Sequence, residues 1–241
     1  MKIRTSLMLC ALVFALASVA QADLLTGPGG IVCPTGTNPI TLADWKVGDT
    51  YHLAFATDTS RTTTSTDIAV YNAYVNAEAD ESALTGVPDV TWYAVGSTVL
   101  VAANDNAVVS APVYLLDGTT MVASGYTDLW DGTIGNALNR TQENVLHATG
   151  GDNDQAWTGT TSLGVAYLNY ELRSIYGDTY ARLGSWALTD GTWLANGTNN
   201  FQLEWAFPMY AISEELTIVP EPATLALLGL GSLIMLARKR R

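Results

Sequence analysis

The chain has 241 residues, 14% charged and 48% hydrophobic, with a formal net charge of −12. Between Asp23 and Val219 the imbalance is steeper: 22 acidic residues stand against Lys46, Arg61, Arg140, Arg173 and Arg182, a balance of −17. Such a surface repels phosphate backbones, which excludes nucleic acid as a partner, and it favours solubility outside a cell.

Taken from the start, Lys2 and Arg4 precede an uninterrupted apolar run from Leu7 to Ala17, with small residues at Ala20 and Ala22. This is the charged, apolar and small-residue order of a secretory signal peptide over residues 1–22, cleaved by signal peptidase after Ala22. Eleven apolar residues fall short of the roughly twenty that a membrane-spanning helix needs. Residues 23–50 form an irregular lead-in rich in Gly, Pro and Thr; Gly27-Pro28-Gly29-Gly30 lacks the pattern of a phosphate loop.

An extracellular domain is expected over residues 51–218. Tyr51 to Thr57 alternates as a strand, and Thr59 to Thr66 is a polar loop. Asp67 to Leu84 is the one good helix candidate, with Ile68, Tyr71, Val75 and Ala79 on one face and Asn72, Asn76, Asp80 and Glu81 on the opposite, polar side. After Pro88 the chain breaks into short apolar pieces: Val90 to Val95, Thr98 to Val101, Val113 to Leu116, Met121 to Ser124, and further pieces around Trp157, Trp186 and Leu203 to Ala211. Asp117-Gly118 between two of them predicts a hairpin, because glycine accepts the positive φ of tight turns. The fold class is therefore α+β, strand- and loop-rich with one main helix. Thr62-Thr63-Thr64 occurs once and no internal repeat exists, which excludes a solenoid.

Residues able to carry chemistry are few. His52 and His147 are the only histidines. His52 alternates within a strand and reads as structural, and His147, before a Gly-rich loop, reads as exposed. Ser162 has Thr160, not glycine, two residues before it, so the nucleophile-elbow pattern fails. No catalytic residue is assigned, and the domain is expected to be non-enzymatic. With Cys10 in the signal segment, Cys33 has no partner for an intramolecular disulfide; it reads as a buried small hydrophobe, a reactive thiol or an intermolecular link. Asp152, Asn153 and Asp154 offer three hard oxygen-bearing side chains to calcium, without the alternating spacing or distal Glu of an EF-hand. Asp128 and Asp131 flank Trp130, a carboxylate-and-ring combination able to hold a sugar, against the plainer reading of a tight turn with a buried Trp. The Asn139 and Asn196 sequons read as chance.

At the other end, Pro220-Glu221-Pro222 precedes an uncharged run from Ala223 to Ala237 and a basic cluster, Arg238, Lys239, Arg240 and Arg241. Fifteen helical residues reach only about 22 Å against a hydrocarbon core of about 30 Å, so this is a marginal span. Basic residues at both ends put those ends in the cytoplasm and the middle outside. Residues 219–241 resemble the PEP-CTERM family of sorting tails, a bacterial pattern of Pro-Glu-Pro, short apolar helix and Arg cluster. The resemblance implies an exported protein, anchored transiently by one C-terminal membrane helix until an exosortase-type enzyme removes it, and destined for the cell envelope or extracellular matrix. The same tail pattern also carries an ice-binding label, which describes the tail and implies no ice binding.

A second resemblance rests on Trp92 to Thr98, Asn104-Asp105-Asn106, Val113 to Gly118, Asp128 to Gly132 and Trp157 to Thr160. These blocks resemble a bacterial domain-of-unknown-function family with an endostatin-like, C-type-lectin-like fold. It implies an early helix and first and last strands that pair, and the segments near Tyr51 and Tyr210 suit that. The leading functional expectation for the exported domain is binding of exopolysaccharide; a structural matrix component without a discrete ligand is the alternative, a glycan-acting enzyme the third. The disulfides and the Glu-Pro-Asn or Gln-Pro-Asp triplet of sugar-binding lectins are absent.

Overall fold

The computed structural model describes residues 25–80, 90–148, 154–173, 180–196 and 200–220. The architecture is mixed α+β, rich in strands, with few helices. Its centre is strand β2 (Thr50–Ala56). The alternation seen in the sequence is real but both faces are buried: Tyr51, Leu53 and Phe55 enter one apolar cluster, Ala54 and Ala56 the other. A strand covered on both sides favours apolar residues on both faces, and the small alanines leave room for the second layer.

Around β2 assembles a six-stranded sheet in the order β3 (Trp92–Ala94), β9 (Tyr210–Ser213), β2, β4 (Val113–Leu115), β5 (Met121–Ala123), with β10 (Leu216–Thr217) also on β2. β4 (Val113–Leu115) lies parallel to β2, pairing Leu53 with Tyr114, while β9 (Tyr210–Ser213) lies antiparallel, pairing Phe55 with Ala211. β10 (Leu216–Thr217) pairs with the start of β2. β4 and β5 (Met121–Ala123) form the expected hairpin. Gly118 has φ +66°, and Asp117 accepts hydrogen bonds from the backbone N–H groups of Thr119 and Thr120, both at 2.8 Å. Burial pushes the Asp117 carboxyl up, but those bonds and Arg140, whose Nε is 3.1 Å away, together hold it below its ordinary value.

A second sheet of three strands, β6 (Gln155–Trp157), β7 (Tyr180–Ser185) and β8 (Asn200–Gln202), contributes to both clusters: Trp157 and Leu183 to the first, Ala156 to the second. The lead-in is irregular yet integrated: Ile31 and Trp45 are buried in the first cluster, and the Tyr51 hydroxyl donates to the Val32 carbonyl at 2.9 Å. β1 (Leu25–Thr26) pairs antiparallel with β11 (Val219–Pro220).

Helix α1 (Ile68–Asp80) buries Tyr71, Val75 and Ala79 as its spacing predicts, and Asp67 caps it by accepting from Ala69 N at 2.9 Å. Residues 81–84 of the expected helix lie outside the described residues. Asn72 and Asn76, on the polar side of the helix, are not left to solvent. Both amides line the edge of β3 (Trp92–Ala94). Asn76 accepts from Trp92 N at 2.9 Å and donates to Trp92 O at 2.6 Å; Asn72 accepts from Ala94 N at 2.9 Å. Asn106, in the short helix α2 (Ala103–Asn106), donates to Ala94 O at 2.8 Å and also to Asn72. Three side-chain amides thus take the place of a neighbouring strand.

Two expected strand pieces are turns instead. Thr98 N reaches Val101 O at 2.9 Å, which closes a loop, and Trp205 N reaches Gln202 O at 2.9 Å, so the run from Leu203 begins as a turn before β9. Replacing Asn76 with Leu strands the Trp92 N–H and C=O at a covered edge, which costs about 2–3 kcal/mol of unfolding free energy. Chemical denaturation measures it; a loss below about 0.5 kcal/mol, the level of an ordinary surface substitution, contradicts the edge-closing role.

Candidate functional site

The residues singled out in the sequence do not converge. Trp130 is 6% exposed; its ring is 6.4 Å from that of Trp193 in a stacked arrangement, and Gly164 lies so close that a Cβ there would strike the indole. A sugar-stacking ring needs an open face, and this one is enclosed. Asp131 closes a local turn, accepting from Thr133 N at 2.9 Å, and Asp128 accepts from Ser124 N at 2.6 Å at the short helix α3 (Tyr126–Leu129). Both carboxylates therefore hold the loop that seats Trp130. Of the calcium candidates, Asp152 and Asn153 lie outside the described residues. Asp154 precedes β6, and its carbonyl accepts from Trp186 N at 3.2 Å. Among the described residues no group of three or more His, Cys, Asp or Glu side chains is placed to hold a metal ion.

The two histidines are both engaged. His52, in the middle of the sheet, is 1% exposed. Its Nδ1 is 2.9 Å from Ser213 O and its Nε2 accepts from Ser110 N at 3.1 Å, which places the proton on Nδ1. The Ser110 hydroxyl donates to Glu215. Although this gathers a serine, a histidine and a carboxylate, the histidine lone pair is already occupied by a backbone N–H. The arrangement lacks the free base that would activate the hydroxyl. His147 stacks on Trp186 with ring centroids 4.5 Å apart, and its Nε2 donates to Ala56 O at 3.3 Å. Burial lowers the pKa of both histidines, against the pull of Glu215 on His52 and of Asp58 and Asp154 on His147.

Beside His147 runs a polar strip across three segments. Gln142 donates to Asp58 and, at 3.1 Å, to Glu78; Thr59 donates to Glu78 at 2.6 Å. Arg61 lies over the rings of Tyr71 and Tyr74 at 4.8 and 4.9 Å. These contacts fasten α1 to the polar loop, with each polar group already in a bond.

Of the tryptophans Trp205 alone is exposed, at 51%, and it is backed by other rings. It stands in the turn after β8, stacked on Phe207 at 6.4 Å and tilted against Phe201 at 5.1 Å. Phe207 is itself fixed edge-on to the buried Trp157 at 5.1 Å. Gln202 and Glu204 are exposed on the same turn, and half-exposed Tyr180 pairs with Gln202 across the strands. Sequence alone does not single out Trp205, because Leu203 to Ala211 has the pattern of a strand. The signal that could have found it, a carboxylate beside an indole, is present at Glu204-Trp205 as it is at Trp130.

The tail is identified by comparison. Residues 219–241 match the PEP-CTERM protein-sorting motif. The match covers Pro220, Glu221 and Pro222 and the basic cluster of Arg238, Lys239, Arg240 and Arg241; it marks the chain as an exported, envelope-associated protein processed by an exosortase. A search of the curated proteins found no match. Among the described residues no helix is long and apolar enough to cross a membrane, and Ala223 to Ala237 lies outside them.

The buried His52 and the half-buried His147 make stability depend on pH. Both have folded pKa values below the ordinary 6.5, so the unfolded chain takes up protons first on acidification. Their stabilising contribution is complete above 6.5 and is lost as pH falls from there through the folded values. Thermal melts taken from about pH 8 to about pH 5 are expected to show a falling Tm, and His147→Gln a shallower slope. A flat wild-type profile over that interval contradicts the assignment.

Proposed function

We propose that the exported domain is a non-enzymatic binding module for polysaccharide of the cell envelope or extracellular matrix, and that Trp205 is the platform on which a sugar ring stacks. The observation that carries this is a half-exposed indole backed by two aromatic rings and flanked by exposed Gln202 and Glu204. A preformed ring loses little entropy on binding, and amide and carboxylate groups beside it supply hydrogen bonds to hydroxyls. The acidic exterior directs this towards neutral or cationic glycans, or anionic ones bridged by calcium. Sorting by an exosortase, after export through the signal peptide over residues 1–22, delivers the domain to where such polymers lie.

A C-type-lectin-like, endostatin-like fold is part of the proposal. The early helix α1 and the pairing of β2 with β9, Ala56 opposite Tyr210, support it. The occupied lone pair of His52 and the stacked ring of His147 support a binder over a glycan-acting enzyme.

A second reading, a matrix component that self-associates, draws on exposed Leu100, Leu163 and Leu168. They lie on two loops joined where Asn104 N donates to Gly164 O at 3.1 Å.

Processed protein recovered from cells, applied to a glycan array with and without calcium, separates the readings. Trp205→Ala is expected to weaken binding about thirty-fold, or about 2 kcal/mol, with the melting curve little changed. Trp130→Ala removes a core side chain and is expected to cost about 3–5 kcal/mol of stability instead. Failure to retain any glycan, together with concentration-dependent sedimentation, sinks the binding proposal and favours the matrix reading.

A further inference from the structure

The two ends of the folded chain meet. Leu25 pairs with Pro220 and Thr26 with Val219, in an antiparallel ribbon of two strands. The first is three residues beyond Ala22, the expected signal-peptide junction, and the second contains the first proline of the sorting motif.

Both strands are tied down immediately behind the ribbon. On one side, Gly27 N donates to Ile31 O at 3.0 Å, and any Cβ at Gly27 would overlap the Tyr51 hydroxyl and the Ile31 side chain. On the other side, Ile218 is fully buried; its N–H donates to Asp49 O and its carbonyl accepts from Gly48 N, each at 2.9 Å. Only Val219 separates that anchored residue from Pro220, so no linker lies between the core and the motif.

An enzyme that cuts a peptide closes on both sides of an extended segment and engages its backbone as a neighbouring strand would. Here one edge of β11 is already taken by β1, and the chain cannot be drawn outward without disturbing Ile218. We infer that β1 is a built-in competitor for the strand edge the processing exosortase must grip, so that opening of the β1–β11 ribbon sets the rate at which the sorting tail is removed. The ribbon has only two residue pairs, and so brief a pairing opens far more readily than the core behind it. It delays processing without forbidding it. It also places both membrane-directed segments at one point on the domain, so an unprocessed chain is tethered there by both.

The test uses the full chain, expressed in a bacterium that encodes an exosortase, with tail removal followed by pulse-chase and mass. Thr26→Cys with Val219→Cys, in a Cys33→Ala background, places thiols on directly paired positions. Antiparallel partners have Cα atoms about 4.5–5.5 Å apart, within the range a disulfide spans. The locked chain is expected to lose its tail at least about five-fold more slowly, and reductant to restore the rate of the Cys33→Ala parent. Thr26→Pro deletes a ribbon N–H and is expected to speed removal at least about two-fold, with protease resistance of the domain unchanged. Equal rates for locked, parent and Thr26→Pro chains overturn the inference, as does a locked chain that stays slow after its disulfide is reduced.

Discussion

Everything in this domain is arranged around a strand that has no solvent side. β2 carries apolar side chains to both faces and is paired along both edges, by β4 on one and by β9 and β10 on the other. Its neighbours come from distant parts of the chain, near residue 113 and near residue 212, so the fold closes only when the last strands arrive. Such long-range pairing is slow to form because loop closure precedes most of the contacts that reward it. His52 belongs to this constraint. A histidine in a doubly covered strand must be neutral and must find partners for both ring nitrogens, and it finds them in Ser213 and Ser110.

What the sequence made legible was local. The helix from Ile68 follows from its spacing and the Asp67 cap, and the hairpin at Asp117-Gly118 follows from a glycine at positive φ. What escaped were residues whose role depends on a partner far along the chain. Asn72 and Asn76 have the polarity of a solvent face, yet their amides sit against backbone sixteen to twenty-two residues away. Polarity shows that a side chain needs hydrogen bonds; it does not say whether water or backbone provides them. Thr98 to Val101 and the run from Leu203 failed differently, since apolar residues in short runs fit turns as well as strands.

The candidate site shows the same limit more sharply. Trp130 and Trp205 each stand beside carboxylates, and composition cannot separate them. Burial does: one ring is enclosed by Trp193 and Gly164, the other is propped from behind and left open. The sorting motif, by contrast, was legible because Pro-Glu-Pro and a basic cluster at fixed spacing are properties of the sequence itself.

The amide-lined margin of β3 has a meaning beyond holding α1 in place. Proteins delivered to a cell surface stand at high local density, beyond the reach of ATP-driven chaperones, and an open sheet margin there is an invitation to strand exchange with a neighbour. Asn72, Asn76 and Asn106 fill the hydrogen-bonding positions of that margin with groups that cannot propagate, because a side-chain amide offers no onward ladder. On this side the central sheet ends chemically as well as geometrically, which keeps crowded copies of the domain from growing into one another.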